Sequence, residues 1–433
     1  MSITVAMYSH DSVGLGHARR NRALAFALAA DLPRITGERV RGLLVAGHPG
    51  ATADALPEGW DWLVLPGFTR TTNGYQSRKL DVSTERLWHL RSSTATAALE
   101  AMTPELLIVD RHPFGVDNEL LPVLETLQGT GTRCVLGMRE VLDTPAAARN
   151  EWDIIGGAAG VAHYYSGLWI YGDQAVYDPV ATGEIPQELS PITRFTGYLA
   201  HGRPDDPLTA SSITAEQPYV LTMVGGGADG GALGLAAAWS TVPEGHRHII
   251  LTGPQMPAAD HDAILDAVRS SGAPRGQVRV TRYAPHVPKL VRDAAAVISM
   301  GGYNSLAEIM ATTTPALIVP RSSRRAEQRL RAHSLAEAGA VDALNPEDLD
   351  TRQLSIWLAG AVRRRSLRDS IDLDGLTRIG GLAAEQIIAG RAAGPQTPGT
   401  RADSPESGRT TSETFSSPSH PGHPHTAPVE RVR

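Results

Sequence analysis

The sequence predicts an α/β protein of two Rossmann-like, doubly wound domains with a disordered C-terminal tail, and three observations carry that prediction. The chain has 433 residues, enough for two domains each with its own core. Leu, Ile, Val and Ala are plentiful while aromatic residues make up 5%, which suits parallel sheets covered by helices better than a β-sandwich. Short apolar runs alternate with helical ones in both halves, and each half joins a strand to a helix through glycines. We expect an N-terminal domain over residues 1–198, a polar linker over 199–217, a second domain over 218–391 and a tail over 392–433. The tail is rich in Pro, Ser, Thr, Gly and His, and it holds too few apolar residues to offset its chain entropy.

In the first half, residues 3–8 read as a buried strand and 18–30 as an Ala/Leu-rich helix, with a loop between them that ends Gly14-Leu15-Gly16-His17. A dinucleotide fingerprint would place glycine at position 19, where Arg19 stands, so a nicotinamide enzyme is set aside. His17 sits at the mouth of a helix beside Gly16, which lets another molecule approach, and a neutral imidazole there can take a proton from a hydroxyl. A histidine that only bonds backbone is the plainer reading. Strands are expected at 41–45, 62–65, 106–110, 133–137, 167–171 and 193–195, helices at 83–101 and from Pro145, and a plain polar loop at 68–79. Asp110 ends a strand, so it points to the carboxyl edge of the sheet, either to orient a base or to anchor a loop.

The second half opens with a strand at 219–223 running into residues 225–231, where five of seven are glycine. Gly225, Gly226 and Gly227 suit a phosphate cradle, against the alternative of a flexible turn between domains. Further strands are expected at 248–252 and 278–281, the latter followed by Tyr283 and Ala284. After the strand ending at Ser299, Gly301-Gly302 turns into a helix for which Asn304 or Ser305 is the expected N-cap. Free amides at such a helix start can hold an anion, and Glu308, one turn beyond Asn304, can accept ribose hydroxyls. Arg321 and Arg325 offer charge to phosphate oxygens, and Gln328 offers an amide to sugar hydroxyls. Residues 351–364 and 376–389 look helical. Asp348-Leu349-Asp350 and Asp372-Leu373-Asp374 precede these helices and read as caps rather than as a metal site.

The net charge of −6 is mild and mixed along the chain, so no basic stripe for nucleic acid is present. The single cysteine, Cys134, excludes an internal disulfide and a cysteine-based zinc site and suits a reducing cytoplasm. No signal peptide is expected, and no run reaches the roughly 18 apolar residues that span a bilayer. A membrane contact would be peripheral, at the inner face.

The stretch Gly301-Gly302-Tyr303-Asn304-Ser305, Glu308, the run from Pro315 to Arg321, and Glu327-Gln328 resembles the donor-domain signature of a family of bacterial glycosyltransferases. That family is related to the lipid-linked N-acetylglucosaminyltransferase of peptidoglycan synthesis and has the GT-B fold, two such domains facing a cleft. The resemblance runs with gaps over most of residues 1–390 and includes Gly14-Leu15-Gly16-His17, whose histidine is the family's proposed base. It implies a metal-independent, inverting transfer of a sugar from a nucleoside-diphosphate donor, a UDP-sugar foremost, to an acceptor hydroxyl. Tyr283 and Ala284 fall where the family binds the nucleobase. The acceptor, lipid-linked or a small metabolite, is left open. The same loop followed by Arg19 or Arg20 also resembles nucleotide-sugar hydrolases, so water as the acceptor, and a noncatalytic nucleotide-sugar-binding protein, stay open as alternatives. One departure concerns the second basic residue after the Pro320-Arg321 pair: the family has a proline before it, and here Arg324 precedes Arg325.

Overall fold

The computed structural model describes residues 2–10, 15–71, 74–204, 217–284, 286–321 and 326–394. Gly14, Arg324, Arg325, most of the expected linker and the tail from 395 lie outside the described residues.

The first half runs β1 (Ser2–Tyr8), α1 (Gly16–Thr36), β2 (Arg39–Ala46), β3 (Trp60–Val64), β4 (Phe68–Thr71), β5 (Gly74–Ser77), α2 (Thr84–Met102), β6 (Leu106–Asp110), α3 (Leu121–Leu127), β7 (Arg133–Arg139), α4 (Pro145–Ile154), α5 (Gly157–Tyr164), β8 (Gly167–Tyr171) and β9 (Thr193–Phe195). Seven of these strands pair in parallel in the order β3-β2-β1-β6-β7-β8-β9. β4 and β5 form an antiparallel hairpin where the sequence suggests a plain loop. The second half runs β10 (Tyr219–Met223), α6 (Gly231–Trp239), β11 (Arg247–Leu251), α7 (Ala258–Ser270), β12 (Val278–Thr281), α8 (Val287–Asp293), β13 (Ala296–Ser299), α9 (Tyr303–Met310), β14 (Ala316–Ile318), α10 (Glu327–Glu337), β15 (Asp342–Ala343), α11 (Thr351–Ala361) and α12 (Gly375–Ala393). Its six strands are also parallel, ordered β12-β11-β10-β13-β14-β15.

Helices cover both faces of these sheets, which is why β6, β8 and β10 are buried at every residue and read as unbroken apolar runs rather than alternating ones. Cys134 on β7 is buried, and that burial pushes its thiol up to about 12, so it is an inert core side chain. α12 follows the second sheet in sequence but packs on the first half. A Cβ on its Gly380 would come within 2.4 Å of the Asp31 side chain on α1, so this close crossing requires glycine. Its Arg391 bonds Glu38 and Glu105, and its Gln386 accepts from Arg133 and Ser166. Among the described residues no helix is long and apolar enough to cross a membrane.

Candidate functional site

In an open parallel sheet the crevice for a ligand lies at the carboxyl ends of the strands, where successive connections leave to opposite sides. In the first sheet that switch falls between β1 and β6, and in the second between β10 and β13. The loops after these four strands carry most of the residues that the sequence singles out.

At the first switch, His17 lies in the opening turn of α1 and the buried Asp110 ends β6. His17 Nδ1 is 3.2 Å from Asp110 Oδ1. Arg20, one turn beyond His17, donates Nε to Oδ2 at 2.9 Å and Nη2 to Oδ1 at 2.6 Å. Nη2 also stands 3.2 Å from His17 Nδ1, but its short bond goes to the carboxylate. Nδ1 therefore keeps its hydrogen for Asp110, and Nε2 meets no partner among the described residues. Burial alone would raise the Asp110 carboxyl, but the Arg20 guanidinium and His17 hold it well below the usual carboxylate range. A permanently ionised Asp110 thus fixes both the tautomer and the angle of His17, whose side chain is 22% exposed. The ring of His10, two residues past β1, lies 4.8 Å from that of His17, and burial together with His17 keeps His10 well below its ordinary value and so neutral.

At the second switch, Gly225, Gly226 and Gly227 follow β10. Gly227, at φ 96°, could carry no side chain, because a Cβ would lie 2.2 Å from the Thr252 carbonyl oxygen. Gly226 accepts a hydrogen bond from the Gln255 amide at 2.8 Å, so part of this glycine run serves loop-to-loop packing. Gly225, at φ 66° and exposed, faces open space. After β13, Gly301 takes φ 77° against Ile318, whereas Gly302 has an ordinary backbone and nothing within 4 Å of a built Cβ. Gly302, not Asn304 or Ser305, is the N-cap of α9, because the helix begins at Tyr303, and no side-chain cap bonds its first amides among the described residues.

The expected capping residue does something else. Asn304 Nδ2 donates to the Gly16 carbonyl across the two halves at 2.8 Å, and its Oδ1 accepts from Arg203 at 2.8 Å. Glu308, buried one turn along, faces Arg203 at 3.5 Å. Burial raises Glu308 and lowers Arg203, each offset in part by the other's charge. Arg321 points towards Asp229 of the glycine run at 3.6 Å, and the buried Gln328 accepts from the Arg321 amide at 3.1 Å. Ala284 is buried, whereas Tyr283 is 69% exposed. Ser305 is half-buried on α9.

The halves are also joined at the carboxyl ends of the next strands, after β7 and β14. Buried Arg331 of α10 donates Nε to Glu140 at 2.7 Å, Arg139 pairs with Glu327 at 2.7 Å, and Asp143 accepts from the Ala326 amide at 3.1 Å. Among the described residues no group of three or more His, Cys, Asp or Glu is placed to hold a metal ion.

Residues 246–364 match the glycosyltransferase family 28 C-terminal domain. The chain resembles MurG from Acinetobacter baumannii with a TM-score of 0.54 at 13% identity, over 88% of this chain and 99% of that one. It resembles the UDP-GlcNAc 2-epimerase from Neisseria meningitidis bound to UDP-GlcNAc with a TM-score of 0.55 at 13% identity, over 90% and 100%. The fold is GT-B. The UDP-N-acetylglucosamine–N-acetylmuramyl-(pentapeptide) pyrophosphoryl-undecaprenol N-acetylglucosamine transferase of Leuconostoc citreum (strain KM20) is 25% identical over 149 residues, 33% of this chain. The chain spans about two fifths of that relative's length, 39%.

On this GT-B frame the structure brings His17 to Asp110, and Gly16 to Asn304, Arg203 and Glu308. Arg20, Arg203 and the Arg331–Glu140 pair were given no role from sequence. Arg20 was findable, since it lies three residues from His17 and so shares its helical face. Arg203 was not, because it lies in a stretch whose polar composition reads as linker.

Proposed function

We propose that this chain transfers a sugar from a nucleoside-diphosphate donor, a UDP-sugar foremost, to an acceptor hydroxyl, with inversion and without a metal. The observation that carries the reading is the meeting of the oriented His17–Asp110 pair with the amide-rich, unobstructed start of α9. The diphosphate would lie against the amides near Gly225, Gly226, Gly301 and Gly302, with Arg321 offering positive charge. Glu308 would accept ribose hydroxyls, and the exposed Tyr283 would pack beside the base. His17 Nε2 takes the acceptor O–H proton as that oxygen bonds to the anomeric carbon. The bond from that carbon to the diphosphate oxygen breaks from the opposite face, and the nucleoside diphosphate leaves with the electron pair.

The UDP-GlcNAc bound to one structural neighbour and the UDP-sugar named for the Leuconostoc relative support uridine over other bases. The relative's acceptor is pyrophosphoryl-undecaprenol-linked, and a like acceptor here would place the chain at the inner face of the membrane. The test is calorimetry with UDP, GDP and TDP on the wild type and Glu308→Ala. Preference for one diphosphate, weakened about tenfold or more in the variant, supports the donor site. Binding of none of them sinks the reading.

A further inference from the structure

The proposed reaction gives Arg19 no part, yet its place on α1 sets it beside the donor residues of the other half. The first turns of α1 and α9 abut, because the Gly16 carbonyl accepts from Asn304 Nδ2 at 2.8 Å and a Cβ on Gly16 would stand 3.7 Å from the same nitrogen. Residues three and four positions on share a helical face, so Arg19 and Arg20 flank Gly16 on that side of α1. Their surroundings differ. Arg20 is buried, bonds Asp110 and holds its guanidinium carbon 5.5 Å from the centre of the Tyr303 ring. Arg19 is exposed, and among the described residues its side chain has neither a hydrogen bond nor an ion pair.

On α9 the matching residues separate in the same way. Glu308 leaves that helix about 140° round from Tyr303, with Asn304 between them facing Gly16. Arg20 with Tyr303 therefore fills one flank of the Gly16–Asn304 contact, and Arg19 lies on the other flank, with Glu308 and Arg203. Burial dominates the shifts of Glu308 and Arg203, and the charge of Arg19 bears on both, favouring the ionised carboxylate and opposing the charged guanidinium.

This flank thus gathers two guanidiniums around one carboxylate, and that carboxylate already faces Arg203. A guanidinium left exposed and unpaired there, beside the first turn of α9, is matched to an anion, and its planar fork suits phosphate oxygens. His17 and Arg19, two positions apart, leave α1 about 200° from one another, so one helix turn can address acceptor and donor separately.

We propose that Arg19 binds the donor's diphosphate from the first domain, so that the diphosphate is held between the amides at the start of α9 and a guanidinium on α1. The assignment rests on the transferase reading. Arg19 donates to phosphate oxygens, and its charge remains beside the nucleoside diphosphate as that group leaves.

The experiment is UDP calorimetry and NMR titration with uridine, on the full chain as wild type, Arg19→Gln, Arg19→Glu and Arg22→Gln. Arg22, one turn further along α1 and bonded to the Ala55 carbonyl, controls for net charge. Because Arg19 is exposed, its replacement should leave the thermal unfolding midpoint in place. Arg19→Gln should weaken UDP about tenfold or more, and Arg19→Glu further, while uridine, which lacks the phosphates, stays within about twofold of wild type in both. Arg22→Gln should change neither ligand. Wild-type UDP affinity in Arg19→Gln, an equal loss for uridine, or an equal loss in Arg22→Gln would overturn the proposal and leave the donor reading standing. A wild type that binds neither UDP nor uridine removes the donor reading, and this inference with it.

Discussion

Gly301 and Gly302 are adjacent, yet the structure gives them opposite reasons for being glycine, and that contrast can be measured. Gly302 has φ −62° and ψ 141°, which alanine adopts freely, and a Cβ there meets nothing within 4 Å. Gly302→Ala therefore costs the fold only a favourable N-cap residue, about 0.5–1 kcal/mol, partly offset by a stiffer unfolded chain. Gly301 sits at φ 77°, and its Cβ would fall 2.6 Å from Ile318 Cγ2. Gly301→Ala thus costs about 1–2 kcal/mol for the left-handed backbone and about 1–3 kcal/mol more for the crowding. Denaturant unfolding and UDP calorimetry on both variants separate the two. Gly301→Ala should lose roughly 2–5 kcal/mol of stability. Gly302→Ala should stay within about 1 kcal/mol of wild type yet bind UDP about tenfold or more weakly, because the new methyl occupies the space a phosphate oxygen needs. Wild-type affinity in Gly302→Ala would refute the argument, since it would mean that no ligand approaches the start of α9. Equal destabilisation by both would refute the steric reading.

Two further outcomes concern the charges that join the structure. Burial alone would raise Glu327, but Arg139 and Arg331 bring it down to about 2. A depressed carboxyl stabilises the fold fully above its unfolded value and loses that as pH falls through the folded one, so this contribution, on the order of 3 kcal/mol, should vanish between about pH 4.5 and 2. Arg139 is itself pushed down by burial but stays charged throughout that window, which leaves Glu327 as the group that titrates. Glu327→Gln should flatten the stability profile relative to wild type in that window, and parallel profiles would show that the pair is not linked to folding. Asp110→Ala should cost about 3–5 kcal/mol in denaturant unfolding, because it leaves the Arg20 guanidinium buried without its counter-charge; a loss under about 1 kcal/mol, the value of an exposed pair, would show that the site is solvated.

The strands 106–110, 167–171 and 219–223 were legible in the sequence because they are buried at every residue and so read as continuous apolar runs, and their expected bounds match the observed ones; the edge strands 193–195 and 278–281 also match, though neither is buried. The hairpin at β4 and β5 was not, since its polar, short strands carry no such signal. His17, Asp110, the two glycine turns and Glu308 were legible as residues at strand ends and helix starts. Their partners were not. Which strand end lies beside which depends on strand order, and no local pattern states that β6 returns to the side of β1 or β13 to the side of β10. The N-cap assignment at Asn304 failed for a related reason: the residue suits a cap, but the other half of the chain supplies Gly16 as a partner for its amide.

Glu308 shows why such a tertiary partner matters to function. Among the described residues its only hydrogen-bond partner is Arg203, at a long 3.5 Å, while Arg203 makes its short bonds to the Leu199 carbonyl and Asn304 Oδ1, both at 2.8 Å. The guanidinium is therefore held in place without satisfying the carboxylate beside it. A buried carboxylate in that state carries an unrelieved desolvation cost, which is why Glu308 is raised despite Arg203 and Arg19 nearby. Two ribose hydroxyls donating to its oxygens would relieve the cost that the free protein bears, and Arg203 need not leave for them to do so. On the proposed donor reading, affinity at this position would come from completing an incomplete hydrogen-bond set rather than from displacing a finished one. Removing the carboxylate should weaken nucleotide binding and should also cost the fold, because it leaves the buried Arg203 guanidinium with its two short bonds but without the carboxylate's charge beside it.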